Sequence, residues 1–309
     1  MKKVDNLDFR SLQYIVAIAE HQNLTKAAET LYVGQPTLSK FLAGLEEELG
    51  LKLFWKSGHK YMPTYAGERY VAGAAELLRL KRGLDAEMAD ILKREVGELR
   101  VAFANMRCSY LLPAVLPAFQ ERHPNVKVTL FEGNSNDNDR RLLDGQVELA
   151  FYSMPSEANP KIEYVPMARE ELLICTPKGH PLASQAVPNP ASPYPRLDLN
   201  CLKDERVLMM RPEQRTRQIM DAILRENHIQ FDNVLYTSNI QAIMGLVSAG
   251  YGVSFVFDTH LRHRNENLPL DCYSFGDPCT CSDFVAARRK GGYLSRYAQA
   301  FIDTVRMAV

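Results

Sequence analysis

Within two helical turns the chain carries an amide, two hydroxyls and an ammonium, Gln35, Thr37, Ser39 and Lys40, grouped around Pro36. Short polar side chains of this kind hydrogen-bond to base edges, and a lysine reaches phosphate oxygens or guanine. Just beyond, Lys52, Lys56, His59 and Lys60 lie in a stretch, Leu51 to Gly67, that contains no acid. The formal net charge of the chain is +0, so attraction to phosphate has to come from this local excess rather than from the whole molecule. A second kind of chemistry is offered by polar residues that directly follow apolar runs. These are Asn105, Met106, Arg107, Cys108 and Ser109; Asn134 and Ser135; Arg211, Gln214, Arg215 and Thr216; and Ser238 with Asn239. Strand ends and helix N-termini are where open α/β sheets hold small ligands, and an arginine there presents a forked donor to an anion. The third kind is thiol chemistry. Cys108, Cys175, Cys201, Cys272, Cys279 and Cys281 are scattered without CxxC spacing, which reads as reduced thiols. The C-x-C at Cys279 and Cys281 lacks the second half that a metal site requires.

Elements must position these groups. Thr25 is suited to cap a short helix carrying Ala27, Ala28 and Leu31, whose small side chains let another helix cross closely. Val33 and Gly34 supply a turn, and Pro36 suits the start of the next helix, where its missing N–H costs little. Leu38, Leu42, Leu45 and Leu49 then recur at three- and four-residue spacing as a buried stripe. Gln35, Pro36, Thr37, Ser39 and Lys40 are thereby left at the exposed tip, the part a recognition helix presents to the major groove. Ahead of this pair, Phe9, Leu12, Ile15, Val16 and Ala19 form one face of a supporting helix from Asp8 to about Gln22. Behind it, residues 66 to 94 read as one long helix with Tyr70, Leu77, Leu84 and Ile91 at heptad spacing, joined by Ala74 and Met88. A lone helix cannot bury such a seam. Gly73, Ala74 and Ala75 would admit a partner helix, and a reader of two-fold DNA needs two copies.

From Gly97 onward, short apolar runs alternate with amphipathic helices. LRVAF (99–103), KVTLFE (127–132), ELAFY (148–152), ELLICT (171–176), RVLMM (206–210) and GVSFVF (252–257) read as buried strands. Helices are expected at about Tyr110 to Arg122, Asn138 to Leu143, Arg217 to Asn227 and Ile240 to Ala249. The alternation predicts an α/β region with a largely parallel sheet. Leu294, Ala298, Phe301 and Val305 place a last helix against it, and Pro188, Pro190, Pro193 and Pro195 mark a surface loop. At 309 residues and 46% apolar, the chain is long enough for two or three units with real cores. The N-terminus lacks a signal-peptide apolar run and no segment is apolar enough to span a bilayer, so a soluble, cytoplasmic protein without membrane contact is expected.

Residues 7 to 67 resemble the DNA-binding domain of the LysR-type transcriptional regulators. The resemblance is carried by Thr25, Ala27, Ala28 and Leu31; Gln35, Pro36, Leu38 and Ser39; Leu45, Glu46, Leu49 and Gly50; Leu53 and Phe54; and Thr64, Ala66 and Gly67. Gly34 stands where the family usually has a serine, which removes one cap and phosphate contact; Lys56 and Pro63 replace a common arginine and leucine. LLPAVLPAFQERHPNVKVTLFEG, LLDGQVELAF, HPLA (180–183) and VSAGYGVSFV (247–256) resemble the family's effector domain. The resemblance implies an N-terminal all-α winged helix-turn-helix (1–66), a linker and dimerisation helix (67–96), and a C-terminal two-lobed α/β domain like periplasmic binding proteins (97–309). It implies double-stranded DNA with a pseudo-palindromic operator, a small-molecule effector between the lobes, and a homodimer through the linker helix building a homotetramer. The candidate DNA contacts are Thr25, Lys26, Gln35, Pro36, Thr37, Ser39, Lys40, Lys56, Lys60 and Thr64. The candidate effector contacts are Asn105, Met106, Ser135 and Thr216, with Arg107 or Arg215 available to pair an anionic ligand. No cofactor and no metal are expected. An enzyme reading would need a nucleophile such as Cys108 with His180 or His260, but no spacing ties them together, and GxSxG, phosphate-loop and HExxH motifs are absent. An exported solute-binding protein would need an export signal and no DNA-binding head.

Overall fold

The computed structural model describes residues 8–58, 60–92, 96–262 and 268–309. His59 of the basic hairpin and the expected last turn of the long helix at 93–94 lie outside the described residues. The chain divides into two compact units, one running to Arg94 and the other from Glu95 to Val309, with Asp144–Gln146 assigned to the first.

In the first unit, α1 (Phe9–His21) starts where the Asp8 carboxylate accepts from the Ser11 N–H at 2.6 Å. Its Leu12, Ile15 and Ile18 are buried while Phe9 is exposed. The cap of α2 (Leu24–Thr30) is Asn23 and not Thr25. The Asn23 amide oxygen reaches the N–H groups of both Thr25 and Lys26, at 2.9 and 3.1 Å, which moves Thr25 into the first turn with its side chain exposed. Tyr32, in the left-handed region at φ 54, turns the chain toward Val33. α3 (Gln35–Leu49) follows, with Pro36 in its first turn and Gly34 as a cap that has no side chain to give. Leu38, Leu42 and Leu45 are buried against Tyr14, Ile15, Ile18, Leu24, Ala27 and Ala28, so the leucine stripe does the packing expected of it. Strands β1 (Phe54–Ser57) and β2 (Lys60–Pro63) pair as an antiparallel wing, and the Tyr61 N–H donates to the Gln22 carbonyl at 2.8 Å. Helix α4 (Tyr65–Ile91) is pressed so close to the wing that a Cβ on Gly67 would lie 1.9 Å from the Leu53 carbonyl oxygen. The heptad seam of α4 divides. Ala74 is buried with Leu12, whereas Leu77, Leu84, Met88 and Ile91 are exposed, Ile91 at 65%.

The second unit holds, among the described residues, one nine-stranded sheet. Strands β3 (Gly97–Ala104), β4 (Val126–Gly133) and β5 (Leu149–Ser153) lie parallel in one lobe, and β7 (Val207–Met210), β8 (Val234–Thr237) and β9 (Val253–Phe257) lie parallel in the other. They are joined by two long strands antiparallel to each other: β6 (Ile162–Pro177), which also pairs antiparallel with β9 and β10 (Leu270–Tyr273), and β11 (Cys281–Arg289), which also pairs antiparallel with β5. The sheet is therefore mixed and not largely parallel. β6 extends nine residues further toward the N-terminus than the apolar run ELLICT, through IEYVPMARE, which mixes charged residues with apolar ones and is mostly half-buried. Helices α5 (Asn105–Arg122), α6 (Ser135–Leu143), α7 (Arg215–Glu226) and α8 (Ile240–Ser248) each follow a strand. A short α9 (Asp258–Arg262) comes after β9, and α10 (Arg296–Met307) closes the chain, its Phe301 ring meeting Phe103, Phe119 and Phe151. The proline-rich stretch is an exposed loop pinched where Val187 and Arg196 exchange backbone hydrogen bonds at 2.9 and 2.7 Å. Among the described residues no helix is long and apolar enough to cross a membrane.

Candidate functional sites

The tip of α3 is free for contact because its opposite face is used up in the core. Gln35, Pro36, Thr37 and Lys40 are exposed and Ser39 is half-buried. Thr25, Lys26, Lys56 and Lys60 are exposed as well, and the Lys56 ammonium sits 5.9 Å from the Tyr61 ring centre. Thr64 differs from the rest. Its hydroxyl donates to the Lys52 carbonyl at 2.7 Å and accepts from the Gly67 N–H at 3.0 Å, so it caps α4 and ties the wing to it. Glu46, whose role the leucine stripe around it conceals, is 7% exposed. Its carboxylate accepts from the Leu53 and Phe54 N–H groups at 2.9 and 3.0 Å and from the Lys52 ammonium at 2.6 Å. Burial opposes ionisation there, but Lys52 and the two backbone donors outweigh it and hold the carboxyl below its ordinary range. An acid on the buried edge of α3 thus fixes where the wing begins.

In the second unit the helices α5, α6 and α7 start with Asn105, Ser135 and Arg215, following β3, β4 and β7. Asn105 is exposed, and Met106 packs on a cluster containing Leu208, Met210 and Ile240 of the other lobe. Ser135 is buried. Thr216 lines a void of about 10 Å³ beneath β7, together with Met210, Met220 and Phe255.

The two arginines have different surroundings. Arg107 is 3% exposed and already neutralised: its guanidinium meets both Glu170 carboxylate oxygens at 2.7 and 2.6 Å and also donates to Ser153 and Tyr110. The Thr259 hydroxyl donates to the same carboxylate at 2.6 Å, and the guanidinium carbon lies 4.0 Å from the Phe284 ring centre. Burial disfavours both charges, yet their mutual attraction keeps the Glu170 carboxyl below its usual range and Arg107 protonated. This clasp ties the start of α5, the end of β5, strand β6 and α9 together. Arg215 is only partly satisfied. Its side chain is 10% exposed, with Asp139 Oδ2 3.7 Å from Nη2, and neither Nε nor Nη2 has a hydrogen-bond acceptor. Asp139, from α6, also accepts from the Tyr152 hydroxyl, and burial raises its carboxyl above the ordinary range despite Tyr152 and Arg215. Sequence reasoning missed Asp139, Tyr152 and Glu170. Nothing in SNDNDRR distinguishes Asp139 from its polar neighbours, and Glu170 shares its dipeptide with Glu171.

The thiol invoked for an enzyme reading is unsuited to it. Cys108 directs its sulfur at the Ala104 carbonyl, and burial, with Glu132 nearby, pushes the thiol up to about 12.

Residues 9–68 match the model of the bacterial regulatory helix-turn-helix protein, lysR family, and residues 93–309 match the LysR substrate binding domain. The HTH-type transcriptional regulator BenM of Acinetobacter baylyi is 27% identical over 255 residues, covering 81% of this chain and 80% of its own. The regulator YcgK of Bacillus subtilis, itself uncharacterised, is 25% identical over 309 residues, covering 97% and 94%. Full-length OxyR from Pseudomonas aeruginosa, in a single-residue variant, shares the fold with a TM-score of 0.77 at 23% identity, covering 98% of this chain and 95% of that one. Full-length BenM superposes with a TM-score of 0.57 at 26% identity, covering 97% and 96%. With both its helix-turn-helix and its two-lobed α/β domain matched, the chain belongs to the LysR family of DNA-binding transcription regulators, oligomeric proteins that answer to small-molecule effectors and are not enzymes.

Proposed function

We propose that this regulator binds a pseudo-palindromic operator in double-stranded DNA and is switched by a small anionic effector held between the two lobes beside Arg215. The observation that carries the effector class is the guanidinium of Arg215, nine-tenths buried with two donors lacking acceptors, beside a carboxyl whose own charge is disfavoured by burial. An anion would complete its hydrogen bonding, whereas both terminal nitrogens of Arg107 are already engaged by Glu170, Tyr110 and Ser153. In this reading Asn105, Met106, Ser135 and Thr216 shape the remainder of the site. Residues 1–66 read DNA through the exposed α3 tip and the wing lysines, 67–96 join two copies, and 97–309 take the effector. The exposed face of α4, with Leu77, Leu84, Met88 and Ile91, supports pairing of linker helices, and two such dimers make a cytoplasmic homotetramer.

Two measurements on the full chain test this. Mobility shift with DNA flanking its own gene should give a specific complex that weakens with salt. Thermal melting against a panel of small carboxylates should yield a ligand that raises the melting temperature. Arg215→Gln should abolish that rise while leaving the DNA complex intact. A ligand bound equally well by Arg215→Gln would remove Arg215 from the site.

A further inference from the structure

Two thiols lie side by side at the start of β11, and the regulatory reading above uses neither. Cys279 and Cys281 have their sulfurs 3.4 Å apart, and both residues are half-buried, so a small molecule can reach them. Two charged groups of β6 lie beside the pair. The exposed Arg169 lies on the same face of β6 as Glu171, diagonally across the ladder from Cys281, and puts a positive charge near that sulfur. Glu171, opposite Cys281 in the β6–β11 ladder, is 8% exposed and has a carboxylate oxygen, Oε1, without a partner. Burial and the neighbouring Asp258 hold the Glu171 carboxyl above its usual range, so it readily accepts a proton. Burial and the neighbouring sulfur of Cys281 push the Cys279 thiol up to about 11, and the Arg169 charge lies on the Cys281 side of the pair, so Cys281 is taken as the first nucleophile and Cys279 as the thiol that follows.

We propose that Cys279 and Cys281 form a dithiol site that exchanges with small-molecule disulfides and closes to an intramolecular disulfide. In the first step the Cys281 thiolate attacks one sulfur of R–S–S–R, the S–S bond breaks, and RS⁻ leaves to take a proton from water. In the second, Cys279 passes its proton to Glu171 as its sulfur attacks Cys281 in the mixed disulfide, and the second RS⁻ leaves and is protonated. The sum is two protein thiols and one R–S–S–R giving one protein disulfide and two R–SH. Closure has a structural consequence. The intervening Thr280 carbonyl accepts from the Leu172 N–H at 2.8 Å, at the junction where β6 passes from one lobe to the other. Bringing the sulfurs from 3.4 Å to a bond of about 2.05 Å bends Thr280 and weakens that hydrogen bond.

The test uses the full chain with Cys272→Ser, so that the tryptic peptide from Asn265 to Arg288 carries only these two thiols. After equilibration in oxidised glutathione and trapping with N-ethylmaleimide, the peptide should be two hydrogens lighter and unlabelled, and dithiothreitol should restore labelling at both sites. Arg169→Gln should slow closure, because it removes the positive charge beside the Cys281 sulfur. The alkylation rate of Cys201 should stay unchanged, which separates this effect from unfolding. Full labelling of both thiols in oxidising buffer, or a mixed disulfide that never closes, would overturn the site. Unchanged amide exchange in the peptide carrying Leu172 would overturn the link to β6. Neither readout depends on the effector, so its outcome is separate from that of the Arg215 test.

Discussion

Glu46 and the pair of arginines differ in how much of their bonding capacity the fold itself uses. Removing the Glu46 carboxylate leaves two buried N–H groups without an acceptor, each costing about 1–3 kcal/mol. Glu46→Ala should therefore lower the unfolding midpoint of the DNA-binding unit by well over 5 °C, taking roughly 4–8 °C per kcal/mol for a unit of this size. The single tryptophan, Trp55, sits in β1 beside this bond and makes its fluorescence a local probe. Because the folded carboxyl is held below its ordinary value of 4.5, its contribution is complete above that pH and is lost as pH falls through the lower folded value. An acid titration should show a Trp55 transition below pH 4.5 that disappears in Glu46→Gln; a transition of equal size in both would remove Glu46 as its cause. The arginines separate in the opposite sense. Arg107→Leu leaves Glu170 buried without its counter-ion, a loss of about 3–5 kcal/mol, whereas Arg215→Leu breaks a 3.7 Å contact with Asp139 and one hydrogen bond to Gln218. Denaturant unfolding should find the first strongly destabilised and the second within about 1 kcal/mol of wild type. The sequence marks both arginines as candidates and cannot separate them, because the carboxylate that takes Arg107 is 63 positions away.

At the level of elements, periodicity was the readable signal. Leu38, Leu42 and Leu45 declare α3 and its buried side, and the short apolar runs declare β3, β5, β7 and β9, since burial on both faces demands unbroken apolar sequence. The Asn23 cap was not readable in the same way, because Asn23 and Thr25 are both competent caps and geometry chooses between them. β11 was missed because CSDFVAARR buries only its middle, with polar and charged ends. The mixed sheet follows from that strand together with β6, which runs antiparallel to β9. Two changes test elements directly. A methyl at Gly67 collides with the Leu53 carbonyl, so Gly67→Ala should push α4 off the wing and weaken operator binding at unchanged effector affinity. Leu84 is 57% exposed on the same helix and supports no core of its own unit. Leu84→Glu should leave the melting temperature nearly unchanged and lower the mass measured by light scattering; an unchanged mass would refute the seam.

At the scale of the whole molecule, regulation requires that ligand and DNA communicate, and thermodynamics fixes the form of that communication. If the effector changes operator affinity by some factor, operator DNA must change effector affinity by the same factor, because both are one coupling free energy. In the proposed reading the lobes register a ligand where Asp139 from α6 and Arg215 from α7 face each other at 3.7 Å, while the Arg107–Glu170 clasp joins α5 to β6. An anion that engages Arg215 competes with Asp139 for the guanidinium, so the ligand loosens a contact between lobes in the act of binding. Asp139→Asn removes the competitor and should tighten effector binding, while shrinking the change in operator affinity that the effector produces. Arg215→Gln should weaken binding, and the double variant should resemble Arg215→Gln alone, since the two residues act through one contact. Calorimetric titration of effector with and without operator DNA, run on all four proteins, measures every term. Strict additivity of the two substitutions, or an effector affinity in wild type that ignores the DNA while operator affinity still responds to effector, would contradict this route.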